Sequence, residues 1–415
     1  MIACYGVTRE VPMNRQFPHA MLPRPGHDEQ ARQDFVHDYK VHVLSGLGPR
    51  QRQVFDRHAV PAFEKTHGHA PRSRREINTA MTPQPTWKMW SALNRTGQEL
   101  MWAAISDTAF RDRERLVDQA RSIRRRGEGR GSLRIDPALA VPRYISAVDI
   151  HLQPGGYGLV LDEDDVYAGA LYDLSAHHYS LGGLNPMGSD PGDSTVLFLR
   201  ENYPQFRPRR ILDIGCTVGA STLPLADAFP DAEVIGIDVA ETFVRYADAR
   251  SKSLGRAVHF AHMNAERTDF PGGHFDLVVS HLFFHETSAK AVRNVMKEAR
   301  RLLAPGGLML HSDVPEANQF HPEPFDQWWR DWTTHYNAEP FRATLRDTSL
   351  VQAAIKAGFE SSKVYETKIP SAAAAATYKK THGYGAEWHM VVAAHGAARG
   401  SLDSSSAPPS GRLAL

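Results

Sequence analysis

The chain has 415 residues, 42% of them apolar, enough for two domains or for one domain with a large addition. Its 48 basic and 47 acidic side chains leave a net charge of +1, which argues against nucleic acid, anionic lipid or a polyanionic substrate as partner. Two cysteines, Cys4 and Cys216, cannot build a disulfide framework or a thiolate metal centre, and no window approaches the roughly 20 apolar residues of a membrane span. With no leader-like start, a cytoplasmic protein without membrane contact is expected.

Residues 1–27 hold scattered prolines without periodicity and are expected to form a flexible arm. Apolar residues then recur at helical spacing over 28–46 and 48–67, and a longer helix starting near Pro85 carries the stripe Trp87, Trp90, Leu93, Met101 and Ile105, which reads as a core face. Arginines crowd 111–134 and read as a solvated helix end. Alternation over Tyr144–Leu152, a Pro154-Gly155-Gly156 turn and Tyr157–Leu161 predict a β-hairpin. Helices are expected over 166–179 and 194–202, so that 28–205 is a mainly helical region.

From Arg210 the pattern changes to short apolar strands alternating with helices, the signature of a parallel sheet covered on both faces. The first strand runs into ILDIGCTVGAS, residues 211–221, where Gly215 and Gly219 let the backbone turn sharply and approach a ligand. Asp238 closes the next strand about twenty residues on, where a carboxylate can accept hydrogen bonds from both hydroxyls of a ribose. Asn264-Ala265-Glu266 follow the third strand and Ser280-His281 the fourth, so each loop at that edge offers polar groups to one crevice.

Glycine bend, Asp238, Asn264-Ala265-Glu266, FDLVVS and LLAPGG (302–307), in this order, resemble the class I S-adenosylmethionine-dependent methyltransferases over 209–395. The resemblance implies an α/β fold: a seven-stranded, mostly parallel Rossmann-like sheet with helices on both faces, preceded here by the mainly helical region. It implies S-adenosylmethionine as cofactor, with Asp213 near its methionine end, Gly215, Thr217 and Gly219 in the bend, Asp238 and Val239 at the ribose, and Asn264, Ala265, Glu266 and Ser280 around the adenine. The chain departs from the family at Thr217, where a middle glycine is usual, and at Asn264, where Asp is usual.

A nicotinamide-dinucleotide oxidoreductase is the nearest alternative, but its pyrophosphate wants G-x-G-x-x-G, and Thr217 and Ala220 fill the second and third places. A carboxylate at Asp213 suits a cationic sulfonium better than a phosphate. A non-catalytic S-adenosylmethionine-binding protein is the other alternative. His281 and His285, four apart beside Glu286, resemble half a metal site, but the pattern is not H-E-x-x-H and no third ligand is placed, so no metal is expected. His285, and after it His281, are instead the candidates for a catalytic base facing the methyl acceptor.

The catalytic domain is therefore set at 206–397, with an insertion at 313–346 in which Phe325, Trp328, Trp329, Trp332 and Tyr336 fall at helical spacing. This insertion reads either as a packed cap or as a lid over an apolar acceptor, enclosed jointly with the region before it. Residues 398–415 are expected to form a disordered tail. The expected activity is methylation of an O, N or C atom of a small organic molecule.

Overall fold

The computed structural model describes residues 15–127, 131–315, 320–377 and 387–396. One sheet of eight strands organises it: β1 (Leu133–Arg134), β2 (Arg210–Ile214), β3 (Glu233–Asp238), β4 (His259–His262), β5 (Phe275–His281), β6 (Leu303–Asp313), β7 (Val364–Pro370) and β8 (Glu387–Ala394). The order is β1-β4-β3-β2-β5-β6-β8-β7, parallel from β1 to β6, with β8 antiparallel to both neighbours. The additional strand over the expected seven is β1, a two-residue edge that pairs Leu133 with Phe260. It is too short to leave a periodic signal.

Side-chain alternation in the strands separates two cores. Leu212, Ile214, Val278 and Met309 face one side, against Val292, Val295 and Met296 of the helix Ala289–Leu302. Ile211, Leu277, Val279, Leu308 and Leu310 face the other, against the helices Asp190–Asn202, Leu223–Ala228 and Glu241–Ser253. Period-2 patterning of strands buried on both faces makes this division. Successive strands run outward from β2 in opposite directions, so the crevice between the β2 and β5 carboxyl ends is the topological switch point, where open α/β sheets bind ligands.

The mainly helical region expected before the sheet is present, including a helix of 27 residues, Pro85–Arg111, begun by a proline that needs no N–H partner there. The tryptophans of its stripe meet the insertion: ring centroids lie 4.5 Å apart for Trp87 and Trp328, 4.4 Å for Trp90 and Trp329, and 4.7 Å for Phe55 and Phe325. Phe325, Trp328 and Trp332 are buried in this shared core. Several arginines of the arginine-rich stretch are paired within the chain, Arg121 and Arg124 with Asp164 and Arg134 with Asp269. Among the described residues no helix is long and apolar enough to cross a membrane.

Two expectations are corrected. The hairpin over 144–161 does not form: Arg143–Ser146 is a helical turn and Ile150–Leu152 a 3-10 turn, with His151 and Leu152 at φ 57° and 64°. A left-handed backbone cannot lie in a strand, and Ile145, Ile150 and Tyr157 pack on Phe243 rather than alternating across a sheet. Residues 15–26 of the arm are docked, not loose. Met21 is fully buried, Phe17 N donates to Pro186 O, and Arg24 N donates to Asp112 Oδ2. Residues 1–14 and the tail 398–415 lie outside the described residues.

Candidate active site

The β2 strand ends in the bend 215–219, whose form follows from its glycines. Gly215 and Gly219 have φ of 69° and 74°, and a Cβ at Gly215 would collide with the Phe283 ring. Thr217 also adopts a positive φ, 47°, a conformation that a β-branched side chain resists. It is held there because its N–H donates to Asp238 Oδ2 at 3.0 Å, while Gly215 and Cys216 donate to Ile237 O.

This bend floors a cavity of about 1230 Å³, its mouth included. Gly215, Thr217, Asp238, Val239, Asn264, Ala265 and His285 all line it. Asp238 is nearly buried, and burial pushes its carboxyl up to about 6 although the N–H groups of Ala240 and Thr217 and the nearby His262 favour its charge. Each of its oxygens accepts one backbone N–H, which leaves a lone pair on each for a ligand.

Other expected residues stand back from the cavity. Asp213 lies under the bend, where its Oδ2 accepts from Thr222 Oγ1 at 2.6 Å and its buried Oδ1 has no hydrogen-bond partner. His281 does not reach the cavity; it stands 3.5 Å from Asp213 Oδ1 and 3.2 Å from Thr195 Oγ1. Ser280 turns to His311 at 2.9 Å inside the sheet. Glu266 holds the cavity wall from behind, accepting from Tyr144 and from Asn294. Gly219 shapes the bend by packing on Phe260.

The opposite wall comes from Tyr144, His151, Tyr157, Tyr172 and Tyr179, together with Phe243 and Glu286, of which His151 and Phe243 carried no signal of their own in the sequence. The fifth-strand loop brings His285 and Glu286 to it. His285 Nδ1 lies 2.6 Å from Asp313 Oδ1, and its Nε2 lies 3.3 Å from Glu286 Oε1. His151 Nε2 lies 2.7 Å from the same Glu286 oxygen, and its Nδ1 is 3.3 Å from Glu339 Oε1 in the insertion. Glu339 is fixed in turn by Arg342 and Asn337.

Burial works against charge throughout this cluster, and the mutual pairing outweighs it. Asp313 and Glu286 hold the His285 imidazole well above its ordinary range, and Glu286 and Glu339 push His151 up to about 9. The two imidazoles in turn keep the Glu286 carboxyl down at about 2, and Asp313 is held far below the usual carboxylate range by His285. His285 lines the cavity, and its pairing with Asp313 and Glu286 favours the charged form of its imidazole. His151 carries its ring there on a left-handed backbone, its carbonyl accepting from Gln98 and from Trp102. A histidine beside Pro-Gly-Gly in a segment without true periodicity was the available signal.

The tryptophan-rich face of the insertion is turned to the N-terminal helices and does not line the cavity. Of the two readings of that face, the packed cap is the one the contacts favour.

Residues 211–307 match the family described as methyltransferase domain. The chain carries a methyltransferase domain. Two relatives show the same kinship: the demethylmenaquinone methyltransferase of Thermus thermophilus is 32% identical over 108 residues, 26% of this chain and 48% of that protein. The malonyl-[acyl-carrier protein] O-methyltransferase of Geobacter sulfurreducens is 39% identical over 102 residues, 24% of this chain and 37% of that protein. The chain thus spans less than half the length of these relatives. Among solved structures, phosphoethanolamine N-methyltransferase 2 of Haemonchus contortus, bound to S-adenosylhomocysteine, aligns with a TM-score of 0.38 at 15% identity, covering 57% of this chain and 61% of that one. The methyltransferase domain holds the glycine bend, Asp238, Asn264 and the His285-Glu286 pair, whereas His151 and the tyrosines reach the cavity from outside it.

Proposed function

We propose that the chain transfers a methyl group from S-adenosylmethionine to an oxygen, nitrogen or carbon of a small organic molecule. One observation carries this: the glycine bend, Asp238 and Asn264 open on the same enclosed cavity as a second, aromatic and polar wall. The residues fit the cofactor. The cradle at Gly215 admits no Cβ, Asp213 keeps a buried oxygen without a hydrogen-bond partner, and no part of the bend shows the G-x-G-x-x-G spacing a pyrophosphate needs.

When bound, the cofactor supplies a methyl group on a cationic sulfur with a neutral leaving group. In this reading Asp238 receives the ribose hydroxyls on its two remaining lone pairs, with Val239 packed beside it, while Asn264 and Ala265 flank the adenine. Asp213 sets the bend through Thr222 and adds negative potential beneath it; Thr217 and Gly219 hold its shape, and Glu266 and Ser280 act from behind. Tyr157, Tyr172 and Phe243 line the cavity with aromatic rings, a setting that suits a cation. With the sulfonium already activated, alignment and exclusion of water are the main demands on the protein, and His285 is the candidate base where the acceptor needs one.

We place the catalytic unit at 206–397, with 28–205 and the 313–346 insertion as its cap, because the tyrosines and Glu339 come from those segments. A concave cavity walled by aromatic side chains suits a small-molecule acceptor. The buried free thiol of Cys216 accords with a cytoplasmic location.

Calorimetric titration tests the cofactor: heat is expected with S-adenosylmethionine and none with a nicotinamide dinucleotide, and the reverse result removes the proposal. Formation of S-adenosylhomocysteine on adding the small-molecule fraction of a cell extract then separates an enzyme from a domain that only binds the cofactor.

A further inference from the structure

Three side chains far apart in sequence present ligand atoms to one point on the cavity wall. His151, His285 and Glu286 each offer one, and the three atoms lie within 4.8 Å of one another. Donors sharing one ion at about 2.1 Å stand roughly 3–4 Å apart, so side-chain torsions alone can close the set. Both carboxylate oxygens of Glu286 are buried and make no hydrogen bond of good geometry, although the imidazole nitrogens of His151 and His285 stand 2.7 Å and 3.3 Å from Oε1. The three groups therefore already converge on one place.

The surroundings match what a metal centre requires behind its ligands. Both histidines direct Nε2 inward, and the Nδ1 of each is backed by a buried carboxylate, Asp313 for His285 and Glu339 for His151. That arrangement fixes the ring and the tautomer of a metal-bound imidazole. Glu286, Asp313 and Glu339 face Arg342 and the two imidazoles, so a divalent cation held by the neutral rings takes the place of their two protons and leaves the formal charge of the cluster unchanged. The sequence pattern offered His281 and His285 beside Glu286 without a third ligand; the tertiary fold turns His281 away to Asp213 and brings His151 from a turn more than a hundred residues away.

We propose that His151, His285 and Glu286 bind one divalent transition-metal ion on the acceptor side of the cavity. Two imidazoles and one carboxylate suit zinc, cobalt or ferrous iron rather than magnesium or calcium, which prefer oxygen donors throughout. All three ligands line the cavity, so the remaining coordination positions face it and can take an oxygen or nitrogen of the incoming acceptor. That role toward an acceptor rests on the methyl-transfer reading, but the binding of the ion does not.

Full-length protein stripped with a chelator and titrated with Co²⁺ tests this, read by visible absorption and by elemental analysis after desalting. One equivalent with a ligand-field spectrum is expected, unaffected by a large excess of Mg²⁺. Glu286→Gln, close in shape, should abolish stoichiometric binding, and Asp313→Asn, which leaves all three ligands in place, should weaken it about 10–100-fold. No stoichiometric Co²⁺ in the wild type, or equal binding by Glu286→Gln, overturns the site. Heat of binding for S-adenosylhomocysteine, measured on the same samples, shows that each protein is folded. It also separates failure of the metal site from failure of the methyltransferase reading.

Discussion

The two walls of the cavity are built by opposite means. The cofactor-side wall comes from contiguous stretches, with the 215–219 bend, Asp238-Val239 and Asn264-Ala265 each at the carboxyl end of a strand. The facing wall gathers Tyr144 and His151 from an irregular turn, Tyr172 and Tyr179 from a helix, and Glu339 from the insertion behind them. A wall made at strand ends is placed by the sheet itself. A wall assembled from three segments depends on the packing that docks them, so damage to distant tryptophans should reach the second wall and spare the first.

The largest expected effect tests that dependence: Trp328→Ala removes a buried indole packed on Trp87 and donating to Asn78, and should cost about 3–5 kcal/mol of stability. Cofactor affinity measured well below the melting temperature should stay within a few fold, and a loss as large as that of a bend mutant would erase the contrast between the walls. Asp238→Ala should act the other way, weakening cofactor binding about a hundredfold or more, since two hydrogen bonds to a charged group contribute roughly 1.5–3 kcal/mol each. Calorimetry checks it.

Gly215→Ala combines a positive φ with a collision against Phe283, and should lower both melting temperature and cofactor affinity by about 1–3 kcal/mol. pH offers a gentler probe. Asp238 is an acid whose folded value, about 6, lies above its unfolded one, so the ligand-free fold takes up a proton here as pH falls, and this group favours folding more in acid than at neutrality. The ligand needs the charged carboxylate. Cofactor affinity is therefore expected to be flat above pH 7 and to fall about tenfold per unit below pH 6; a profile flat down to pH 5 would place the ribose elsewhere. The smallest effect is expected of Thr217→Gly, which relieves the left-handed β-branched residue and should raise the melting temperature by the equivalent of about 1 kcal/mol or less.

Legibility followed the same division between walls. The β2 strand, the bend and Asp238 were readable because glycine spacing, a strand-terminal carboxylate and the alternation of β and α patterns are local consequences of backbone geometry. The region before the sheet was readable as helical, yet its turn at 143–152 was mistaken for a hairpin, since a few apolar residues at even spacing look alike in a strand and in an irregular segment that packs on a helix. Ser280 and His281 sit at the correct strand end but are taken up by His311 and by Thr195 and Asp213 instead of reaching the cavity, and which partner each alternate side chain meets is set by the packing around the strand.

Taken alone, the order of residues determined the parallel sheet, the nucleotide-side loops and the absence of a surplus charge, all properties that neighbours within about twenty positions dictate. Only the tertiary structure brought His151 to Glu286 and His285, backed them with Glu339 and Asp313, and closed the tyrosines over the bend. Contacts between segments more than a hundred residues apart are selected by the burial of whole helices and by the balance of buried charges, and neither leaves a periodic trace in the chain.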